Sequence, residues 1–237
     1  MSRLGIAAKT RANPVFIIAF AGVAVFTMLD HERLTAGQEI VSDRKPEFKS
    51  LFDGKSLKGW KQIRGNPKLW TVENGALVML GEGGGWLGTE RDYSDFEMKL
   101  EFKLTPESNS GVYLRAPADD SHISRTGMEI QLLDENHPRY RDIKPWQKTG
   151  ALYHVTAPRP GNLKPVGEWN RLRIRAEGSL LTITLNDAKV VEDRLNSHPG
   201  LEAEHPGLRR STGRIGLQSH NGRVEFRDIQ IRELARQ

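Results

Sequence analysis

The chain has no cysteine among its 237 residues. That removes disulfides, thiolate metal sites, cysteine nucleophiles and a lipoprotein-type anchor, and leaves packing as the source of stability. No stretch keeps a helical period for any length, nothing repeats at a fixed spacing, and no tract is of low complexity. The seven histidines show no His-Glu-x-x-His spacing and there is no Gly-x-Ser-x-Gly elbow, so the usual zinc-protease and serine-hydrolase signatures are missing. Charge of one sign is also scarce. The net charge is +5, of which Arg3, Lys9, Arg11 and Arg33 set against Asp30 and Glu32 place +2 in the first 36 residues and leave +3 on the rest. The basic residues alternate with acidic ones instead of gathering in a stripe, which points away from nucleic acid as a partner.

The one long apolar run, PVFIIAFAGVAVFTML at residues 14–29, follows Arg3, Lys9 and Arg11. It has the length of a signal-peptide core and is short for a membrane-spanning helix. Residues 1–36 therefore read as an export signal cleaved near Ala36, with an uncleaved membrane anchor as the alternative because Leu34-Thr35-Ala36-Gly37 is a mediocre cleavage site. The expected location is periplasmic or extracellular, membrane-associated in the second case. Residues 37–47 are polar and aperiodic, a linker, and a single domain is expected over 48–234. Its length is that of one large sandwich. A mean hydropathy of −0.54 with 27% charged residues and 23 glycines describes a soluble, turn-rich protein.

What the sequence does have is alternation. In DFEMKLEFKL, Phe96, Met98, Leu100 and Phe102 fall on one face and Glu97, Lys99, Glu101 and Lys103 on the other, the period of a half-buried strand. GVYLRA sets Val112 and Leu114 against Tyr113 and Arg115, and RLRIRA sets Leu172 and Ile174 against three arginines. LLTITLN leads through Asn186-Asp187 into AKVVED, a hairpin signature, and a further turn is expected at Asn221-Gly222. Many short strands between glycine, proline and asparagine turns predict an all-β sandwich or barrel. Gly83-x-Gly85-x-x-Gly88 matches a dinucleotide fingerprint in form only, because a strand and not a helix is expected after it. It reads as a glycine-rich loop at a sheet rim.

The segment GMEIQLLDENHP places Glu129 and Gln131 on one face, with Ile130 and Leu132 on the other. Exposed polar residues on an antiparallel sheet are ordinary. Here Tyr113, Arg115, Glu101, Tyr153, Gln218 and His220 stand on other strands or strand ends, and a set of planar hydrogen-bonding groups with aromatics suits a sugar.

LFDGKSLKGW (51–60), WTVENGAL (70–77), DFEMKLEFKL with NSGVYLR (95–115), GMEIQLLD (127–134), TGALY (149–153), GEWNRLRI (167–174) and GRIGLQSHNGRVEFRDIQI (213–231) together resemble the 3-keto-disaccharide hydrolase family. The resemblance covers about residues 48–234. It implies a concanavalin A-like jelly-roll β-sandwich of two antiparallel sheets, with a concave ligand face that acts on glycosides oxidised to the ketone at C3. The residues it brings to that face are Glu101, Asn109, Arg115, Glu129, Gln131, Asp134, Tyr153, Gln218 and His220. Trp60, Trp70, Trp169, Asn170 and Phe226 match as well and are expected to be structural.

Laminarinase-like glycosidases carry Glu-x-Asp-x-x-Glu where this chain has Glu129-x-Gln131-x-x-Asp134, so their pair of carboxylates is not reproduced. A keto-sugar needs less, since the ketone acidifies the proton on C2. The expected roles are Glu129 as base, Arg115 or a divalent cation on the enolate oxygen, Tyr153 or His220 at the leaving oxygen, and Glu101, Asn109, Gln131, Asp134 and Gln218 on the substrate. A non-catalytic carbohydrate-binding module and an adhesive envelope domain are the competing readings.

Overall fold

The computed structural model describes residues 46–235 apart from 82, 83 and 120. The export or anchor segment expected at 1–36 and most of the expected linker lie outside the described residues. Thirteen strands are present among them. They are β1 (Lys49–Ser50), β2 (Trp60–Ile63), β3 (Trp70–Glu73), β4 (Ala76–Met79), β5 (Trp86–Thr89), β6 (Phe96–Leu104), β7 (Asn109–Ala116), β8 (Met128–Leu133), β9 (Trp169–Glu177), β10 (Leu180–Leu185), β11 (Ala188–Arg194), β12 (Arg214–Gln218) and β13 (Val224–Glu233). The only α-helix among the described residues is one turn, Ile123–Thr126.

All pairings are antiparallel and divide into two sheets. The larger, of eight strands, runs β11-β10-β9-β6-β13-β4-β3, with β1 added on β13; the smaller, of five, runs β2-β5-β12-β7-β8. The expected two-sheet β-sandwich is what forms. Its cause is the period-two pattern: Phe96, Met98, Leu100 and Phe102 of β6, Leu172 and Ile174 of β9, Val112 and Leu114 of β7, and Ile130 and Leu132 of β8 are all buried in one cluster between the sheets. Each such side chain contributes about 1.5–3 kcal/mol. The β10–β11 hairpin turns at Asn186 and Asp187, both at positive φ, as a two-residue turn of the primed type requires. Trp60, Trp70, Asn170 and Phe226 are buried.

One irregularity shapes the smaller sheet and a comparable one the larger. In β7 the ladder to β12 slips between the Tyr113–Gly216 and Ala116–Arg214 pairs, and Arg115 takes a φ of 46°. The extra residue is a bulge, which breaks the alternation and re-aims the side chain that follows. β13 carries a comparable slip at Asp228, φ 50°.

Candidate active site on the five-stranded sheet

The core takes one side of the smaller sheet. Its other side is read from the register: Ile63 pairs with Trp86, Trp86 with Gln218, and Gly111 with Gln131 in one row, while Lys61 pairs with Gly88, Gly88 with Gly216, Gly216 with Tyr113 and Tyr113 with Glu129 in the next. Side chains two apart on a strand share a face, so these rows lie together on the outward side. Gly88 and Gly216 leave room for the Trp86 indole, whose ring atoms stand within 2.7 Å of where a Cβ on Gly216 would be. Trp86 meets the Tyr113 ring edge-on at 5.7 Å. With Ile63, Ala116 and Ile123 the two aromatics form a second, smaller apolar cluster on this face.

Glu129 sits beside that cluster with only 2% of its surface exposed. Burial pushes its pKa up to about 8, against the opposing hydrogen bond from Gln218. Gln218, which hydrogen-bonds it, and Tyr113 and Tyr153, whose own pKa values its charge raises, are uncharged in their ordinary forms. A carboxyl with no cation beside it in an apolar setting holds its proton. The Gln218 amide donates to the Tyr113 hydroxyl oxygen at 2.7 Å. Burial, and then the charge of Glu129, hold the Tyr113 phenol well above its usual range, so it keeps its proton. Tyr153 arrives on a segment that extends the sheet, its N–H donating to the Glu129 carbonyl at 2.9 Å. Its own pKa is raised by burial and by Glu129. Trp146 meets Tyr153 edge-on at 5.3 Å.

Gln131 donates to Asn109 Oδ1 at 3.2 Å. The buried Gln131 Oε1, Gln218 Oε1 and Ser219 Oγ have no hydrogen-bond partner among the described residues. Such atoms are costly unless something fills them, and ligand hydroxyls are donors of the right kind. Next to them is a cavity of 190 Å³ lined by Arg64, Gly84, Gly85, Trp86, Tyr113, His122, Gln218, Ser219 and His220 among others. Desolvation, aided by Arg139, lowers the His220 pKa, which leaves the imidazole neutral at pH 7. The glycine-rich loop is thus the rim that the sequence suggested, with the strand β5 following it.

Glu129, Gln131, Asn109, Tyr153, Gln218 and His220 therefore come together. Three expected residues do not join them in the expected way. Glu101 lies on β6, in the other sheet, and its carboxylate accepts from Arg227 at 2.7 Å. Arg115, 2% exposed, is turned away by the bulge. It donates to the carbonyls of Ser94 (3.0 Å), Gly178 (2.9 Å) and Arg210 (3.0 Å) and to Asp95 (3.0 Å), ties that fasten loops and leave no donor aimed at Glu129. Asp134 Oδ2 accepts from the Glu107 N–H at 3.0 Å and shapes the turn before β7.

Trp86, Ser219, His122 and Arg64 were not among the residues the sequence brought to the site, and Tyr113 was in the sugar-suited set without a role of its own. Tyr113 was legible as an outward neighbour of Glu129's strand face. Trp86 opens the four-residue strand β5, too short to show a period, and the others stand in loops or past a strand end. A larger depression of 520 Å³ lies on the outer face of the eight-stranded sheet around Lys99, Glu101, Arg171, Arg173 and Asp187. Its arginines and two of its acids are ion-paired: Arg171 with Asp187, Arg173 with Glu97, and Glu101 with Arg227. The smaller cavity, with its unpaired acceptors and its proximity to Glu129, is the better candidate. Among the described residues no group of three or more His, Asp or Glu side chains is placed to hold a metal ion.

Fold and face together define the class: a lectin-like β-sandwich whose smaller sheet presents a buried acid among polar and aromatic groups. Residues 47–232 match the 3-keto-alpha-glucoside-1,2-lyase-like domain, and the chain belongs to that family. It is 28% identical over 225 residues to the 3-keto-disaccharide hydrolase of Bacteroides thetaiotaomicron, with 78% of each chain covered. Among solved structures it superposes on a candidate glycosyl hydrolase from Parabacteroides distasonis with a TM-score of 0.71 and 27% identity, covering 79% of this chain and 94% of that one. A second candidate glycosyl hydrolase from the same organism gives 0.69 and 29%, covering 79% and 100%. A Bacillus subtilis protein of galectin-like fold, at 0.55 and 12% with 76% and 92% covered, shares the fold alone.

Proposed function

We propose that this protein is an enzyme that cleaves 3-keto-glycosides, 3-keto-disaccharides included, by deprotonation, elimination and hydration. The observation that carries the reading is the Glu129 carboxyl, buried without a cation and with its pKa near 8, beside a cavity edged by unpaired acceptors. A pKa close to the working pH is what a general base needs. Family membership and the named relative support the choice of keto-sugar.

In the first step ionised Glu129 takes the proton from C2, and the C2–H electrons move into a C2–C3 double bond as the ketone becomes an enolate. The enolate then re-forms the ketone, a C1–C2 double bond forms, and the C1–O bond breaks with a proton delivered to the departing oxygen. Water adds to the enone at C1 and a proton returns to C2, so the sum is hydrolysis. Tyr113 takes the electrophile's part first expected of Arg115, because its oxygen already accepts from Gln218 and its own proton is free for the enolate oxygen. Tyr153, which keeps its proton, is the proton carrier for the departing oxygen, and the neutral His220 assists it through a ring N–H hydrogen bond. Gln131, Gln218 and Ser219 offer acceptors to sugar hydroxyls.

The test is incubation of the domain with a 3-keto-glucoside and with its unoxidised parent, with and without EDTA, following release of the aglycone. Release from the keto form alone is expected. Release from neither, with saturable sugar binding, overturns the reading in favour of a binding module, and loss of release with EDTA places a divalent cation at the enolate in place of Tyr113.

A further inference from the structure

Gly111 stands in the middle of β7, between Gln131 on one neighbouring strand and the β12 strand of Gln218 on the other. Its φ is not positive, so the backbone there suits any residue. Glycine inside a strand costs about 0.5–1 kcal/mol relative to alanine, and it weakens the strand without offering anything to pack. The backbone does not explain its presence. The space does. The three atoms nearest to a Cβ on Gly111 would all belong to Glu129, at 2.9 Å for Cγ, 3.0 Å for Cδ and closer still for Oε1.

Taking Glu129 as the base, we propose that Gly111 is the positioning residue for its carboxylate: the missing side chain is the seat on which the Glu129 carboxyl lies flat against β7. The nearest obstacles an alanine would meet are atoms of a flexible side chain and not of backbone, so the strand would hold and Glu129 would turn. Three atoms of one side chain have to move, which forces a different rotamer instead of a small give. Turning carries the carboxyl away from the Gln218 amide, which ties it to the cavity, and from the neighbouring Tyr113 hydroxyl. The remaining titratable neighbour is Tyr153, at the edge of the sheet. A carboxyl moved toward that edge gains water, so its pKa falls toward the ordinary carboxylate range.

Gly111→Ala tests the proposal by three measurements. Cleavage of a 3-keto-glucoside is expected to lose about a hundredfold in kcat with KM little changed, the signature of a misplaced catalytic group. Carboxyl ¹³C titration of glutamate-labelled protein, with the Glu129 signal assigned through Glu129→Gln, is expected to show the raised midpoint in the parent and a lower one in Gly111→Ala. The melting temperature should change little, and any loss should vanish in a Glu129→Ala background, where the seat is empty. An unchanged titration midpoint together with unchanged kcat overturns the proposal, and so does a stability loss equal in both backgrounds, which would make Gly111 a purely structural glycine. If the midpoint shifts but neither protein cleaves the keto-glucoside, the seat stands and the proposed reaction fails.

Discussion

The outward faces of the two sheets grow from the same polar–apolar alternation and end in opposite electrostatic states. On the eight-stranded sheet the buried and half-buried glutamates are matched by cations. Glu97 receives Arg232 at 2.5 Å, Arg173 at 3.3 Å and Arg175 at 3.4 Å, and Glu225 receives Lys103 at 2.7 Å and Arg223 at 3.0 Å. Burial acts to raise the Glu225 pKa, but its hydrogen bonds from Lys103 and Arg223 win and hold it below the usual value. Even Trp169 lies between cations, Arg227 at 4.0 Å and Lys103 at 4.8 Å from its ring. On the five-stranded sheet Glu129 has neutral partners and acceptors are left open. One face spends its polar groups on itself and the other keeps them for something else, and that contrast locates a site more surely than the size of a depression.

The contrast should be sharpest at Glu129. Glu129→Gln is expected to lose about 10²–10⁴-fold in turnover, with sugar binding retained, and a variant as active as the parent would erase the distinction between the faces. The parent's kcat/KM should climb as pH rises toward about 8 and then level, because the base works ionised. Stability should run the other way. The folded pKa lies above the unfolded value near 4.5, so between that pH and about 8 the folded state keeps a proton the unfolded chain has released. Stability falls through this window, by on the order of a few kcal/mol, and the Gln variant should lack that part of the slope in urea titrations across pH.

Tyr113→Phe comes next. Removing one donor to a developing oxyanion costs about 10²–10³-fold in kcat, and single-turnover rates on the keto substrate would show it; a normal rate would return the electrophile to another group. Arg115→Met should separate structure from chemistry, losing about 3 kcal/mol in denaturant unfolding because Asp95 and three carbonyls lose their donor, while activity per folded molecule stays near the parent's. The smallest effect belongs to Glu101→Gln. Its ion pair with Arg227 is partly exposed, so a loss under about 1 kcal/mol and unchanged turnover are expected, and a large loss of turnover would bring the other sheet back into the mechanism.

Much of the fold was legible because alternation is a local property. The strands around Phe96, Val112, Ile130, Leu172 and Ile183 and the turn at Asn186-Asp187 follow from spacing alone, since each side chain's face depends only on its parity along the strand. The site was legible where parity held, as at Glu129, Gln131 and Gln218. It was misread where parity failed: Arg115 follows a one-residue bulge that no composition signals, and Asp134 leaves the strand for a turn.

The sequence by itself determined an all-β chain, the core face of each strand, and the polar candidates on the opposite face, because these depend on neighbours in the chain. Only the tertiary structure decided which strands share a sheet, and so it alone separated Glu101 from Glu129. It also decided that one glutamate meets arginine and the other meets Gln218, Tyr113 and a glycine's empty place. A carboxyl's charge state is set by what surrounds it within a few ångströms, and in a β-sandwich those surroundings come from residues far apart in the chain.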